Sequence, residues 1–207
     1  MSRRQIPEIN AGSMADIAFL LLIFFLVTTT MDVDAGISRK LPEKPNPLEK
    51  PPIIKEKNIL VLTLDKSGTI LMEGDTYIDL KDVKPAAIKF LDNGGGKNAE
   101  KEDCTYCKGE KDPTSSDHPD KAVISLESAR NTNYGAYIRV QDELVSAYNF
   151  LLDRSANELY GMSYADLKEK SEDDQLSDRK KESYKEKYKK VKGMYPMIIS
   201  EAEPTKF

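Results

Sequence analysis

The chain has little of the chemistry on which most enzymes and disulfide-rich domains depend. Its 207 residues include no tryptophan, one histidine and only two cysteines, Cys104 and Cys107. Two cysteines are too few for a disulfide framework, and one histidine gives little support for hydrolytic catalysis. The sequence has no Ser-His-Asp set, no metal-binding histidine cluster and no nucleotide-binding motif. We therefore expect no enzyme, no cofactor and no bound metal.

An excess of basic charge is also lacking, because the formal net charge is −4. Nucleic-acid-binding domains usually present a basic face, so we expect no nucleic-acid partner. Charged residues make up 32% of the chain and hydrophobic residues 39%, but the hydrophobic residues are unevenly spread, with one dense block near the start. Most of the chain is therefore expected to be water-exposed, with the exception of that block.

The dense block predicts a transmembrane helix over residues 13–31. Residues 17–31 read IAFLLLIFFLVTTTM, fifteen positions without a charge, and extension back to Met14 adds only Asp16 as a charged residue. Eighteen helical residues span roughly 27 Å, just enough to cross the hydrocarbon core of a bilayer. The run is apolar on every side of the helix, as a membrane span should be.

The charges that flank the block predict its orientation. Arg3 and Arg4 precede it, and Asp32 and Asp34 follow it. Because Lys and Arg are retained on the cytoplasmic side, we expect residues 1–12 in the cytoplasm and everything after about residue 32 outside. A cleaved signal peptide is the main alternative, but the sequence after the block fits the cleavage pattern poorly.

Asp16 is the candidate functional residue of the span. An acid inside a membrane helix usually faces a partner or a water-filled path and marks a proton or ion route. Loss of water disfavours the charged form of a carboxyl group, so such a residue can bind a proton in one environment and release it in another. The alternative is that Asp16 only caps the start of the helix, a position that Asp favours.

The segment from Ile9-Asn10 to Asp16 and the following apolar run resemble the start of ExbD/TolR proteins. In that family an Ile-Asn pair precedes the intramembrane Asp, and a Leu-Pro pair follows it, here Leu41-Pro42. The resemblance implies that Asp16 carries protons. It also implies two copies of the chain inside a pentameric ExbB-like ring in the bacterial inner membrane. Such a motor would drive a TonB-like protein and outer-membrane transport.

Other functions are open at this stage. The first stays within the family and is a TolR-like subunit for outer-membrane integrity. The second is a membrane-anchored periplasmic scaffold or binding protein in which Asp16 has no proton role. A secreted protein with a cleaved leader is the third.

A proline-rich linker at 32–57 is expected to lead to a periplasmic domain at 58–207. Prolines favour extended, semi-rigid chain, and five of them fall within residues 42–52. The patterns that follow predict alternating strands and helices. They are strands at 58–64 and 69–72, a helix at 80–92 after Asp79, a strand at 122–126, a helix after Gly135, and a strand at 197–200. This ββαβαβ order predicts a small α+β domain, similar to that of ExbD/TolR proteins.

Two insertions interrupt the domain, at about 93–120 and 162–192. The first contains Cys104-Thr105-Tyr106-Cys107, for which a disulfide or free thiols are favoured over zinc, because a closed zinc site needs four ligands. In the second, Ser163 begins a capping-box pattern, followed by a highly charged helix that Gly193 is expected to end. Tyr184, Tyr188 and Val191 are expected to pack that helix against the sheet. A solvated helix is favoured there over a docking surface for a partner.

Overall fold

In the computed structural model, the described residues are 11–28, 54–129 and 131–202. Contacts divide the chain into two compact units, Met1–Pro51 and Pro52–Phe207, and each is described by itself. Several predicted features lie outside the described residues: the Ile9-Asn10 pair, the Leu41-Pro42 pair and the proline-rich segment 42–52.

The described part of the first unit is the helix α1, over Ala11–Thr28. It begins two residues before the predicted span, and the last three residues of that span lie outside the described part of the chain. Within residues 11–28, 54–129 and 131–202, no helix combines the length and the apolar character needed to cross a membrane. The transmembrane helix therefore stays a prediction.

The second unit is an α+β domain. A 3-10 turn at Glu56–Asn58 leads into its first strand. The elements then follow in the order β1 (Ile59–Leu64), β2 (Ile70–Met72), β3 (Thr76–Ile78), α2 (Leu80–Leu91), β4 (Val123–Ser128), α3 (Tyr134–Tyr160), α4 (Tyr164–Glu172), α5 (Asp178–Met194) and β5 (Ile199–Ala202).

The five strands form one mixed sheet in the order β3-β2-β1-β4-β5. β2 pairs antiparallel with both β1 and β3, whereas β4 pairs parallel with both β1 and β5. Parallel neighbours need long crossover connections, and the helices between β1 and β5 supply them. The expected small α+β domain is confirmed.

The hydrophobic core lies between one face of the sheet and the helices α2 and α3. Leu60, Leu62 and Leu64 of β1 alternate toward this face and are buried, because successive side chains of a strand point to opposite sides. α3 contributes the longest buried stripe, which includes Leu144, Tyr148 and Leu151 at helical spacing. Because each strand and helix buries one side in this core, its apolar residues recur at strand or helix spacing. That spacing is what predicted these elements from the sequence.

The predicted element order was wrong in two places. The short strand β3 was missed, and the second insertion forms two helices, α4 and α5. α5 continues through Gly193 to Met194, so that glycine does not end it. Tyr184, Tyr188 and Val191 do contact the core cluster. However, α5 packs mainly on α4 and α3 rather than on the sheet, because those helices lie over its apolar side.

The helix starts agree only in part with the sequence. Ser163 and Asp166 form the predicted capping box of α4. Asp79 precedes α2 as expected, but its side chain makes no capping hydrogen bond and pairs with Lys81 at 3.1 Å. The cap of α3 is Asn133, whose side chain accepts hydrogen bonds from the backbone N–H groups of residues 135 and 136. Gly135 therefore lies inside the helix rather than before it.

Candidate functional site

Asp16 is the sixth residue of α1, and the first turn of this helix contains no acidic residue. A capping side chain must reach the free N–H groups at the beginning of a helix. Asp16 lies beyond those groups, so the interpretation that it caps the helix is wrong. Its carboxylate is exposed in the isolated chain. Its proton role stays a prediction.

The apolar side chains of α1 are exposed in every direction around the helix axis. Ile17, Phe19, Leu22 and Phe25 are each between 58% and 61% exposed, and at 100° per residue they face different sides. A helix that is apolar all round needs a surrounding apolar environment, either lipid or protein. Asp16 therefore lies beside apolar side chains whose exposure to water is unfavourable.

A buried ionic cluster joins three parts of the α+β domain. Arg154 of α3 donates hydrogen bonds of 2.8 and 2.7 Å to the two carboxylate oxygens of Asp92. The hydroxyl of Tyr195 donates to the same carboxylate at 2.6 Å. The hydrogen bond to Asp92 raises the pKa of Arg154, and burial together with this carboxylate raises the pKa of Tyr195. The cluster connects the end of α2, the last third of α3 and the residue after α5.

The first insertion contains a disulfide between Cys104 and Cys107, which confirms the favoured prediction. Both cysteines are buried. Between them, Tyr106 donates a hydrogen bond of 2.8 Å to the carbonyl oxygen of Met194, and its ring packs edge-on against Tyr195. Burial raises the pKa of Tyr106 to about 12. The disulfide loop is thus fastened to the end of α5.

A glycine lets the insertion pack closely against the disulfide. Gly94 has φ +62°, and a Cβ atom there would lie 2.8 Å from the Cβ of Cys107. Only glycine adopts this conformation readily and leaves the space free. The glycines at 94–96 therefore serve chain packing.

Asp117 fastens the same insertion to the beginning of β1. Its carboxylate pairs with Lys57 at 2.5 Å and accepts a hydrogen bond of 3.3 Å from Asn58. Burial alone would raise the pKa of Asp117, but the bonds from Lys57, Asn58 and Lys55 outweigh it and lower that pKa. The backbone N–H of Asp117 also donates to Asn58 at 2.7 Å.

These clusters hold the domain together and present no catalytic arrangement. Among the described residues, no group of three or more His, Cys, Asp or Glu side chains is placed to hold a metal. The local patterns of the sequence did not reveal the clusters. One feature of the sequence could have indicated the Arg154 cluster. Arg154 is a charged residue within a stretch of α3 whose neighbours are buried: Leu151, Leu152, Ser155 and Ala156.

The described residues thus form a helix with one acid in an apolar stretch and a small α+β domain. The chain belongs to the ExbD/TolR family: the family model described as biopolymer transport protein ExbD/TolR matches residues 2–152. Members of this family are membrane-anchored transport accessory proteins, not known enzymes, and work in a complex with ExbB- and TonB-type partners. No individual curated protein gives a significant match. α4 and α5 lie beyond the matched residues.

Proposed function

We propose that the chain is the proton-carrying subunit of an ExbB-ExbD type motor in the bacterial inner membrane, which energises TonB-dependent transport across the outer membrane. In this proposal residues 13–31 span the membrane, and Asp16 binds and releases the proton. The observation that carries it is the placement of Asp16, the single charged residue of α1, past the first turn of the helix.

The apolar surface of α1 supports a partner that encloses it. One helix alone cannot separate a proton path from lipid, and α1 exposes apolar side chains on all sides. An ExbB-like ring around two copies of α1 would remove Asp16 from bulk water. In that setting the gain or loss of one proton changes the charge of the helix, and charge decides which packing is preferred.

The energy available to such a residue is sufficient for work. One elementary charge that crosses the membrane gains about 2.3 kcal/mol per 100 mV, and each pH unit adds about 1.4 kcal/mol. The motor would transmit this energy to the domain at 58–207 and onward to a TonB-like protein. The N-terminus would lie in the cytoplasm and the α+β domain in the periplasm.

The test is the substitution Asp16→Asn, which keeps the size of the side chain and removes its titration. We expect uptake of TonB-dependent substrates to stop while the protein remains in the membrane fraction. Asp16→Glu, which still titrates, is the matched control and should retain part of the activity. Normal uptake by the Asn variant would overturn the proposal.

The same variants separate the alternatives. If uptake is normal but the outer membrane becomes leaky to detergents, the chain serves the TolR-like role. If Asp16→Asn is silent and removal of residues 53–207 is not, the chain is a membrane-anchored scaffold.

A further inference from the structure

Positive charge is concentrated at the end of α5. Eight of its seventeen residues are basic and three are acidic, in a chain whose formal net charge is −4. The last acidic residue is Glu186, and four lysines follow it within the final two turns. We call this set the basic end of α5: Lys187, Lys189, Lys190 and Lys192.

Within the described residues, none of the four lysines of the basic end forms an ion pair. The ion pairs of α5 there are Lys181 with Asp174 and Lys185 with Glu182, both in its first half. Lys187 lies over the Tyr184 ring at 5.1 Å and Lys192 over the Tyr188 ring at 5.8 Å, contacts that leave the positive charge in place. Lys189, Lys190 and Lys192 are exposed.

A groove with a mixed lining adjoins the basic end: Leu159 and Met194 contribute apolar surface, and Thr105, Ser155 and Glu158 contribute polar groups. Its volume is about 420 Å³, and Lys190 lines it together with Tyr106, Leu159 and Met194. Leu159 is 44% exposed. The one acidic residue that lines the groove, Glu158, already pairs with Lys108. Exposed lysines beside a groove that is apolar only in part suit an amphiphilic anion, whose charged group contacts the lysines and whose hydrocarbon contacts Leu159 and Met194.

The tyrosines distinguish this surface from a nucleic-acid site. Single-stranded nucleic acid needs free aromatic faces on which bases stack. Here the ring of Tyr188 stacks on Tyr164 at 5.1 Å, and lysines cover Tyr184. Because those aromatic faces are occupied, this surface can bind a partner only through its positive charge and its apolar atoms.

The geometry points to a docking site for a bilayer that contains anionic phospholipids: the basic end of α5 contacts the headgroups, and the groove beside Lys190 takes apolar lipid atoms. This inference depends on the proposed anchoring of the chain, because a tether raises the local concentration of the membrane. Residues 29–53 connect α1 to the described domain and span at most about 90 Å. Clusters of lysines near a membrane surface are attracted to anionic lipids, an attraction that salt weakens.

The experiment uses the full chain in lipid nanodiscs of phosphatidylcholine, with or without phosphatidylglycerol. The readout is the rate at which the amine of Lys192 is acylated, measured by mass spectrometry. We expect this rate to fall about threefold when anionic lipid is present, and to recover at about 0.5 M NaCl. Equal rates in both discs would overturn the inference.

Matched variants locate the site. Lys189→Gln with Lys190→Gln should abolish the protection by anionic lipid, whereas Lys180→Gln with Lys185→Gln, the same charge change in the first half of α5, should retain it. Loss in both pairs would contradict a site at the basic end. Protection by inorganic phosphate or by a single-stranded oligonucleotide in phosphatidylcholine discs would also contradict a bilayer as the occupant.

Failure of this inference is distinguishable from failure of the proposed function. If the chain enters neither disc, anchoring by α1 is wrong, and sedimentation with vesicles of the same two compositions then tests α5. Equal sedimentation with both would overturn the docking site. Protection of Lys192 in the Asp16→Asn variant is expected to be unchanged, because docking does not depend on proton transfer.

Discussion

α1 and α5 are helices of nearly equal length and opposite composition. α1 has eighteen residues with one charge, whereas α5 has seventeen residues of which eleven are charged. α1 exposes its large apolar side chains in the isolated chain, while α5 keeps its charges in water and buries Val191. Either composition forms a helix, so helical propensity does not decide their roles. Their roles are decided by the surroundings that each surface requires, which are lipid or protein for α1 and water for the charged side of α5.

The largest effect is expected from a charged substitution within the apolar residues of α1. Leu22 lies at the middle of the predicted span, and Leu22→Asp should make insertion less favourable by about 3 to 4 kcal/mol. We expect the variant to be lost from the membrane fraction, as measured by fractionation and immunoblotting. Leu22→Ala should remain in the membrane. If Leu22→Asp is retained as well, α1 does not lie in lipid.

The next prediction concerns the buried ionic cluster that connects the end of α5 to α2 and α3. Arg154→Met leaves the buried carboxylate of Asp92 without its charged partner. Removal of one member of a buried pair is strongly destabilising, and because a fifth of the Arg154 side chain is exposed, we expect a loss of about 3 kcal/mol in the free energy of unfolding. Chemical denaturation measures it. Lys108→Met, which breaks the exposed pair with Glu158, should change that free energy by less than about 1 kcal/mol.

A smaller effect is expected from the one buried position of α5. Val191 is fully buried, and Val191→Ala should lower the free energy of unfolding by roughly 2 kcal/mol through the cavity that it leaves. Lys189→Ala, on the exposed side, should stay within about 0.5 kcal/mol of the unchanged protein. Equal denaturation midpoints for the two variants would show that α5 does not pack on the domain as described.

The smallest effect is a dependence on alkaline pH. Burial raises the pKa of Tyr106 from 10.0 to about 12, so the folded state favours the neutral phenol. The stabilisation is fully present below pH 10 and is lost as the pH rises through 12. Comparison of thermal midpoints between pH 9 and 12 for the unchanged protein and Tyr106→Phe should show a smaller decline in the variant. Parallel declines would exclude Tyr106 as a cause.

The sequence predicted the elements whose side chains repeat at a regular spacing. β1, α2, β4 and α3 show clear apolar periods, and the core of the domain rests on them. β3 was missed because its residues Thr76–Ile78 are mostly exposed and form no apolar run, whereas the equally short β2 consists of three apolar residues. α5 was joined to α4 because charge continues across the break at residues 173–177.

The ionic clusters could not be predicted from local patterns. Asp92 meets Arg154 across 62 positions and Tyr195 across 103, and only the tertiary fold brings such distant residues together. The position of Asp16 differs in this respect. It was found from sequence because one charge in an apolar run stands out without any knowledge of the fold.

The place of β5 at the edge of the sheet has a consequence for how the protein is made. β5 pairs with β4, which pairs with β1, so a strand at residues 199–202 closes a sheet that began at residue 59. If the domain is translocated across a membrane during synthesis, β4 emerges long before its second neighbour, β5. Contacts between distant segments form late, and an unpaired strand edge invites aggregation. Until β5 has been synthesised, one edge of β4 is therefore unpaired, and this is the stage at which a chaperone would protect the nascent domain most.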